Sequence, residues 1–151
     1  CLQLNWDDYQ SNIDLQTKSF FQIVKSIAPS MKERKYGRIV NILTSYVIGR
    51  PPNNQSSYIV SKYSLLGLSK SLSVELGSYG ITVNSVSPSM TNTNLIEKLP
   101  LKLKEIIANN VPVGRLADPN DITSAVLFLC SKNSSYISGE NILVSAGETM
   151  H

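Results

Sequence analysis

A tyrosine and a lysine four residues apart form the most informative pair in the sequence. Tyr58 and Lys62 stand at the two ends of the segment Tyr-Ile-Val-Ser-Lys. Residues four apart lie on the same face of a helix, so the lysine ammonium group would come close to the phenol. A nearby positive charge favours the phenolate, and we expect it to lower the tyrosine pKa from about 10 towards the working range. Such a tyrosine can donate a proton to a developing alkoxide or remove one from an alcohol.

Two predicted strands end near groups that can bind a polar ligand. Ser45 follows the first of them and precedes Tyr58 by thirteen residues. In parallel α/β sheets ligands bind beyond the carboxyl ends of the strands, where a serine can donate a hydrogen bond to a substrate oxygen. The second strand ends at Ser87 and leads to backbone amides and hydroxyls suited to a polar ring or amide. These belong to Pro88, Met90, Thr91 and Thr93.

The elements that would position these groups alternate between long helices and short buried strands. The pattern predicts helices over 7–35, 57–78 and 118–131 and strands over 38–44, 81–87 and 141–145. Gly37 is the predicted stop of the first helix, and Asp118 is the predicted N-cap of the third. The segment 91–111 is expected to be mobile and weakly helical. This order predicts an α/β fold, a doubly wound parallel sheet with helices on both faces.

Composition narrows the possible function classes. The chain has 151 residues, of which 42% are hydrophobic, which is enough for one domain with its own core. Its 14 basic and 11 acidic residues are scattered, so we expect neither a nucleic-acid partner nor a membrane surface. Cys1, Cys130 and the single histidine, His151, offer no disulfide framework and no metal site. We therefore expect a cytoplasmic protein without a metal, although an acylated Cys1 is a less favoured alternative.

Six segments together resemble the C-terminal part of a classical short-chain dehydrogenase/reductase, close to the 3-oxoacyl-carrier-protein reductases. They are 37–45, 58–62, 65–76, 81–88, 113–122 and 138–139. The resemblance covers almost the whole chain and implies a Rossmann-like fold. It also implies that the N-terminal part of the domain is missing, and with it the glycine-rich turn that binds the cofactor phosphates. The chain would then be the C-terminal part of a single domain.

The resemblance assigns a role to each candidate residue. Tyr58 would be the general acid/base, and Lys62 would hold the nicotinamide ribose of NAD or NADP and lower the tyrosine pKa. Ser45 would position the substrate oxygen. The segment containing Pro88, Met90, Thr91 and Thr93 would hold the nicotinamide carboxamide.

Two positions of the family's catalytic set have alternatives in this sequence. Gln16 occupies the place of a catalytic asparagine when residues are counted back from the segment 28–31, whereas counting from Ser45 points to Thr17, and Asn12 lies a turn too early. The Gln16 side chain retains a carboxamide that can hold a relay water. The position of the catalytic serine is ambiguous by one residue, which leaves Thr44 as the alternative hydroxyl.

The implied activity is that of an NAD(P)-dependent oxidoreductase that interconverts a carbonyl and a secondary alcohol. A small carbonyl substrate, with an acyl thioester as the leading candidate, would bind under the segment 94–111. We expect a homodimer or homotetramer built through helices 7–35 and 57–78, and a chain that alone binds cofactor weakly and turns over poorly. One alternative is a non-catalytic partial copy that acts in assembly or binding. Another is a non-redox reaction such as epimerisation or dehydration.

Overall fold

A three-stranded parallel sheet lies at the centre of the computed structural model, which describes residues 4–150. Its strands are β1 (Gly37–Ile42), β2 (Ile81–Pro88) and β3 (Asn141–Val144), in the order β1-β2-β3. Both neighbouring pairs are parallel. The predicted α/β architecture is therefore confirmed. Cys1 and His151 lie outside the described residues, so the inferences drawn from them remain predictions.

Five α-helices connect and cover these strands in residues 4–150. They are α1 (Trp6–Ile13), α2 (Ser19–Arg34), α3 (Ser56–Gly77), α4 (Leu101–Asn110) and α5 (Pro119–Cys130). A π-helical turn, Asp14–Lys18, joins α1 to α2, and a short 3₁₀ turn, Ser45–Val47, follows β1. The predicted helix over 7–35 is thus a continuous helical run with one wide turn, which the apolar periodicity did not reveal.

Alternation along β1 separates the two faces of the sheet. Ile39 and Leu43 belong to the buried apolar cluster that α2 and α3 close from one side. Arg38 points to the opposite side, where its Nε donates to the carbonyl of Ser131 at the end of α5, 3.3 Å away. Successive side chains of a strand point to opposite faces, so both faces carry a helical layer. The strand that precedes the candidate site is consequently held from both sides.

The boundary between α2 and β1 differs from the prediction. The helix ends at Arg34, Lys35 adopts the left-handed conformation with φ of 51°, and Gly37 already belongs to β1. A Cβ atom at Gly37 would lie 2.6 Å from the Met31 sulfur and 3.0 Å from Ile81. Gly37 therefore serves close packing between helix and sheet, and Lys35 makes the turn that was assigned to the glycine.

The start of α5 follows the predicted capping pattern. The Asp118 side chain accepts a hydrogen bond from the Asn120 N–H at 2.9 Å, and Asp121 accepts one from the Asp118 N–H at 2.7 Å. Hydrogen bonds from the Arg115 guanidinium and from that N–H lower the pKa of Asp121 to about 2. The capping box fixes the end of the segment 91–117, which leads from the site to α5.

The segment 91–111 contains a 3₁₀ turn, Asn94–Ile96, and helix α4. Its helical character is as predicted, and its mobility stays a prediction. Within residues 4–150 no helix is long and apolar enough to cross a membrane. In the same part of the chain no three His, Cys, Asp or Glu side chains are grouped so that they could hold a metal ion.

Candidate active site

A cavity of about 480 Å³ lies at the carboxyl ends of β1 and β2, where a parallel sheet places its ligands. It brings together most of the predicted site residues, namely Ser45, Tyr58, Pro88, Met90, Thr91 and Thr93. Its other lining residues are Leu43, Thr44, Tyr46, Gln55, Ser89, Leu95, Ile96 and Leu99. None of these lining side chains carries a formal charge. The cavity therefore suits an uncharged ligand with both polar and apolar parts.

Tyr58 reaches this cavity from the first turn of α3. Burial raises the pKa of Tyr58 above its ordinary value of 10.0, a hydrogen bond with the Thr44 side chain lowers it, and nearby Tyr46 raises it. The net direction is upward, opposite to the lowering that was expected from Lys62. The cost of burying a phenolate outweighs the stabilising contacts.

Lys62 lies one turn further along α3 and points to the end of β1. Its Nζ donates to the carbonyl of Ile42 at 2.9 Å and lies 5.6 Å from the centre of the Tyr58 ring. Burial lowers the pKa of Lys62 from its ordinary value of 10.5. An ammonium group has three donors, so two remain for further partners after the bond to Ile42. The predicted pairing of the two side chains on one helix face is present, although the ammonium group is anchored to the sheet.

Gln16 lies in the π-helical turn and contacts α3 rather than the cavity. Its Nε2 donates to the Ser61 hydroxyl at 3.1 Å, and that hydroxyl donates to the backbone carbonyl of Tyr58 at 2.7 Å. The two alternatives for this position belong to the same polar seam, the row of hydrogen bonds between residues 12–17 and the serines of α3. Asn12 donates to Ser57 at 3.3 Å, and Thr17 lies 2.6 Å from the hydroxyl of Ser64. Gln16 thus supports the turn of α3 that carries Tyr58, and its role in holding a relay water stays a prediction.

The loop after β2 is tied to the segment before α5. The Asn92 N–H donates to the carbonyl of Ala117 at 2.8 Å, and the Ala117 N–H donates to the carbonyl of Met90 at 3.1 Å. Thr91 donates its hydroxyl proton to the carbonyl of Ser89 at 3.0 Å. Thr93 is exposed and lines both the central cavity and a neighbouring one of about 430 Å³ against α5. The loop therefore presents exposed and partly buried polar groups along one rim.

Two residues that line the cavity were not predicted from the sequence as site residues. Tyr46 adds a second phenol, whose pKa is raised by burial and by the carboxylate of Glu148. Gln55 precedes α3 and adds a carboxamide to the wall. The adjacency of Tyr46 to Ser45 was the available signal for the first. Gln55 had no such signal in the sequence, because a polar residue before a helix is common at protein surfaces.

Comparison with known proteins shows the family to which the chain belongs. A family model described as "Enoyl-(Acyl carrier protein) reductase" matches residues 1–149. The chain belongs to the short-chain dehydrogenase/reductase family. The matched range includes every candidate residue described above, from Gln16 to Thr93.

Individual family members reach moderate identity over almost the whole chain. The 3-oxoacyl-[acyl-carrier-protein] reductase of Rickettsia prowazekii is 37% identical over 150 residues, which is 99% of this chain and 61% of that protein. The crystal structure of a 3-oxoacyl-[acyl-carrier protein] reductase from Brucella melitensis superposes with a TM-score of 0.91 at 26% identity, covering 99% of this chain and 56% of the other. That of acetoin dehydrogenase from Enterobacter cloacae has a TM-score of 0.85 at 30% identity, covering 98% of this chain and 58% of the other. The chain therefore spans about three fifths of the length of such short-chain dehydrogenase/reductases.

Proposed function

We propose that the protein is an NAD(P)-dependent oxidoreductase that interconverts a carbonyl and a secondary alcohol, with Tyr58 as general acid/base. The observation that carries this proposal is the placement of the Tyr58 phenol in an uncharged cavity beyond β1 and β2, one helical turn from Lys62. Family membership supports the reaction class. The chain covers only part of its relatives, so activity, substrate and partners remain proposals.

Proton transfer is the task that the chain's own residues perform. In reduction, the Tyr58 phenol donates its proton to the oxygen as negative charge develops there. A hydroxyl from the adjacent pair Thr44 and Ser45 donates a hydrogen bond to the same oxygen and stabilises that charge. Burial keeps Tyr58 protonated through neutral pH, so the donor form is the resting form. In oxidation the same groups act in reverse.

The donor groups around Lys62 fit the nicotinamide half of NAD or NADP. The two ammonium donors that Ile42 leaves free can bind vicinal ribose hydroxyls. The loop with Pro88, Met90, Thr91 and Thr93 offers hydroxyl and backbone groups to a carboxamide. When bound, the cofactor supplies or accepts the hydride, whereas the protein supplies orientation and the proton.

The cavity favours a neutral carbonyl flanked by an apolar group. Leu95, Ile96 and Leu99 form an apolar wall, and no charged side chain lines the cavity to pair with a carboxylate. The relatives named above include 3-oxoacyl-[acyl-carrier-protein] reductases and an acetoin dehydrogenase. We therefore propose a 3-oxoacyl thioester as the substrate class.

The small neutral N-acetylcysteamine thioester of acetoacetate and free acetoacetate test the substrate class, because they share the ketone and only acetoacetate carries a carboxylate. We expect kcat/KM for the thioester to exceed that for acetoacetate by about 100-fold or more, since burying an unpaired carboxylate costs several kcal/mol. The assay follows NADH and NADPH oxidation by the complete translation product of the gene. Equal kcat/KM values for the two ketones would contradict the proposed substrate class.

Exposed apolar side chains on the outer helices support self-association. They are Trp6, Leu15, Phe21, Ile23, Val60 and Val74. We propose a homodimer or homotetramer through α1, α2 and α3. Light scattering should give two or four times the chain mass of 16.6 kDa, whereas a monomer mass would contradict the proposal. A cytoplasmic location stays a prediction from the sequence.

A further inference from the structure

Tyr46 is a second phenol in the cavity that holds Tyr58, and the proposed proton transfer does not use it. Its side chain is half-buried. Burial and the nearby carboxylate of Glu148 raise the pKa of Tyr46 above its ordinary value of 10.0. Tyr46 is therefore protonated at neutral pH, as Tyr58 is, and the same cavity offers two phenolic donors.

The turn after β1 fixes the backbone that carries Tyr46. The Tyr46 N–H donates to Oγ1 of Thr44 at 3.4 Å, and the carbonyl of Ser45 accepts from the Gly49 N–H at 2.9 Å. The C-terminal segment packs against the same turn, because a Cβ atom at Gly49 would lie 2.9 Å from the Thr149 side chain. The position of the second phenol is thus held by the hydrogen bonds of the turn and by the C-terminal segment.

The hydroxyl of Tyr46 is available to a ligand. Within residues 4–150 it makes no hydrogen bond to another protein atom, since the hydrogen bond from Tyr46 to Thr44 comes from its backbone. Other polar side chains of the wall are less suited to a buried acceptor. Thr91 already donates to the carbonyl of Ser89 at 3.0 Å, and the side chains of Gln55 and Thr93 are exposed. A partly buried donor without a partner gains a hydrogen bond when a ligand brings an acceptor.

We propose that Tyr46 determines substrate specificity by donating a hydrogen bond to the second carbonyl of a 3-oxoacyl thioester. This role rests on the proposed function, which assigns the 3-oxo group to Tyr58. In such a substrate one methylene group separates the two carbonyl carbons, so a ligand whose ketone oxygen faces Tyr58 carries its second acceptor within the same cavity. A simple ketone brings no acceptor for Tyr46 and loses that hydrogen bond.

Two ligands that differ only in the second carbonyl test this assignment. One is the N-acetylcysteamine thioester of acetoacetate, and the other is the keto thioether in which a methylene group replaces the thioester carbonyl. Ligand-observed NMR gives the dissociation constant of each for the complete translation product of the gene, in the absence of cofactor. Because no hydride can be transferred without cofactor, the measurement does not depend on turnover.

The unsubstituted protein should bind the thioester about 5- to 10-fold more tightly than the thioether, because the thioester gains one hydrogen bond from a neutral donor. Tyr46→Phe should bind both ligands alike. Tyr136→Phe, which removes a fully exposed phenol outside the cavity, should retain the preference.

The proposal would be overturned if the unsubstituted protein showed no preference between the two ligands, including no binding of either. A preference that Tyr46→Phe retains, or that both variants lose, would overturn it as well. If Tyr46→Phe does not fold, 3-fluorotyrosine at position 46 of the unsubstituted protein decides. Its ¹⁹F resonance should move further with the thioester than with the thioether, and equal shifts would contradict the assignment.

Failure of this proposal is distinguishable from failure of the proposed function. A protein that shows the preference dependent on Tyr46 but transfers no hydride would contradict only the oxidoreductase assignment. Conversely, an active reductase that binds the two ligands alike would contradict only the role of Tyr46.

Discussion

Tyr58→Phe lowers kcat for carbonyl reduction by about 10²- to 10⁴-fold, because the variant keeps the ring and loses the proton that the product oxygen requires. KM for the ketone should change much less, since the cavity wall keeps its shape. Steady-state oxidation of NADH or NADPH by the complete translation product of the gene, with acetoacetyl thioester as substrate, measures both parameters.

Tyr63→Phe is the matched control for this variant. Tyr63 lies on the same helix and is 48% exposed, outside the cavity lining. Its variant should retain kcat within a factor of about two. If Tyr58→Phe were equally active, another group would have to donate the proton, and the proposed mechanism would be wrong.

Lys62→Met should lower kcat/KM by about 10- to 1000-fold, with a rise in KM for the cofactor as part of the loss. The methionine fills a similar volume but cannot donate to ribose hydroxyls or stabilise charge near Tyr58. Initial rates at varied cofactor and fixed ketone concentrations separate the loss in binding from the loss in kcat.

The bond from Lys62 to the Ile42 carbonyl also holds α3 against β1, so the thermal midpoint of each variant must accompany the kinetics. Lys70→Met, at an exposed position two turns further along α3, is the control for the loss of a lysine. If the Lys62→Met variant had an unchanged cofactor KM and an unchanged kcat, the proposed role of Lys62 in cofactor binding and catalysis would be wrong.

The arrangement of the sheet was predictable from the sequence because short strand-forming segments, bounded by turn residues, alternate with long helical segments. The three strands of the described region occupy the predicted segments within two residues. The cap of α5 was equally predictable, since an N-cap aspartate followed by proline is a local signal. Local signals of this kind do not depend on tertiary contacts.

The features that the sequence did not reveal depend on tertiary packing. The π-helical turn at Asp14–Lys18 changes the position of Gln16 relative to α3, and the polar seam that accommodates it involves residues more than forty positions apart. The sign of the pKa change at Tyr58 follows from burial of the phenol, which cannot be read from the spacing of residues along α3.

Transfer of a labelled hydride tests the central claim most directly. Reduced cofactor that carries deuterium at the transferable position is incubated with acetoacetyl thioester and the complete translation product of the gene, and the product is analysed by mass spectrometry. We predict one deuterium at the carbinol carbon and an equal amount of oxidised cofactor. A converted substrate without deuterium would indicate a non-redox reaction. No conversion with either cofactor across neutral 3-oxoacyl thioesters and small ketones would contradict the oxidoreductase assignment and favour a role in assembly or binding.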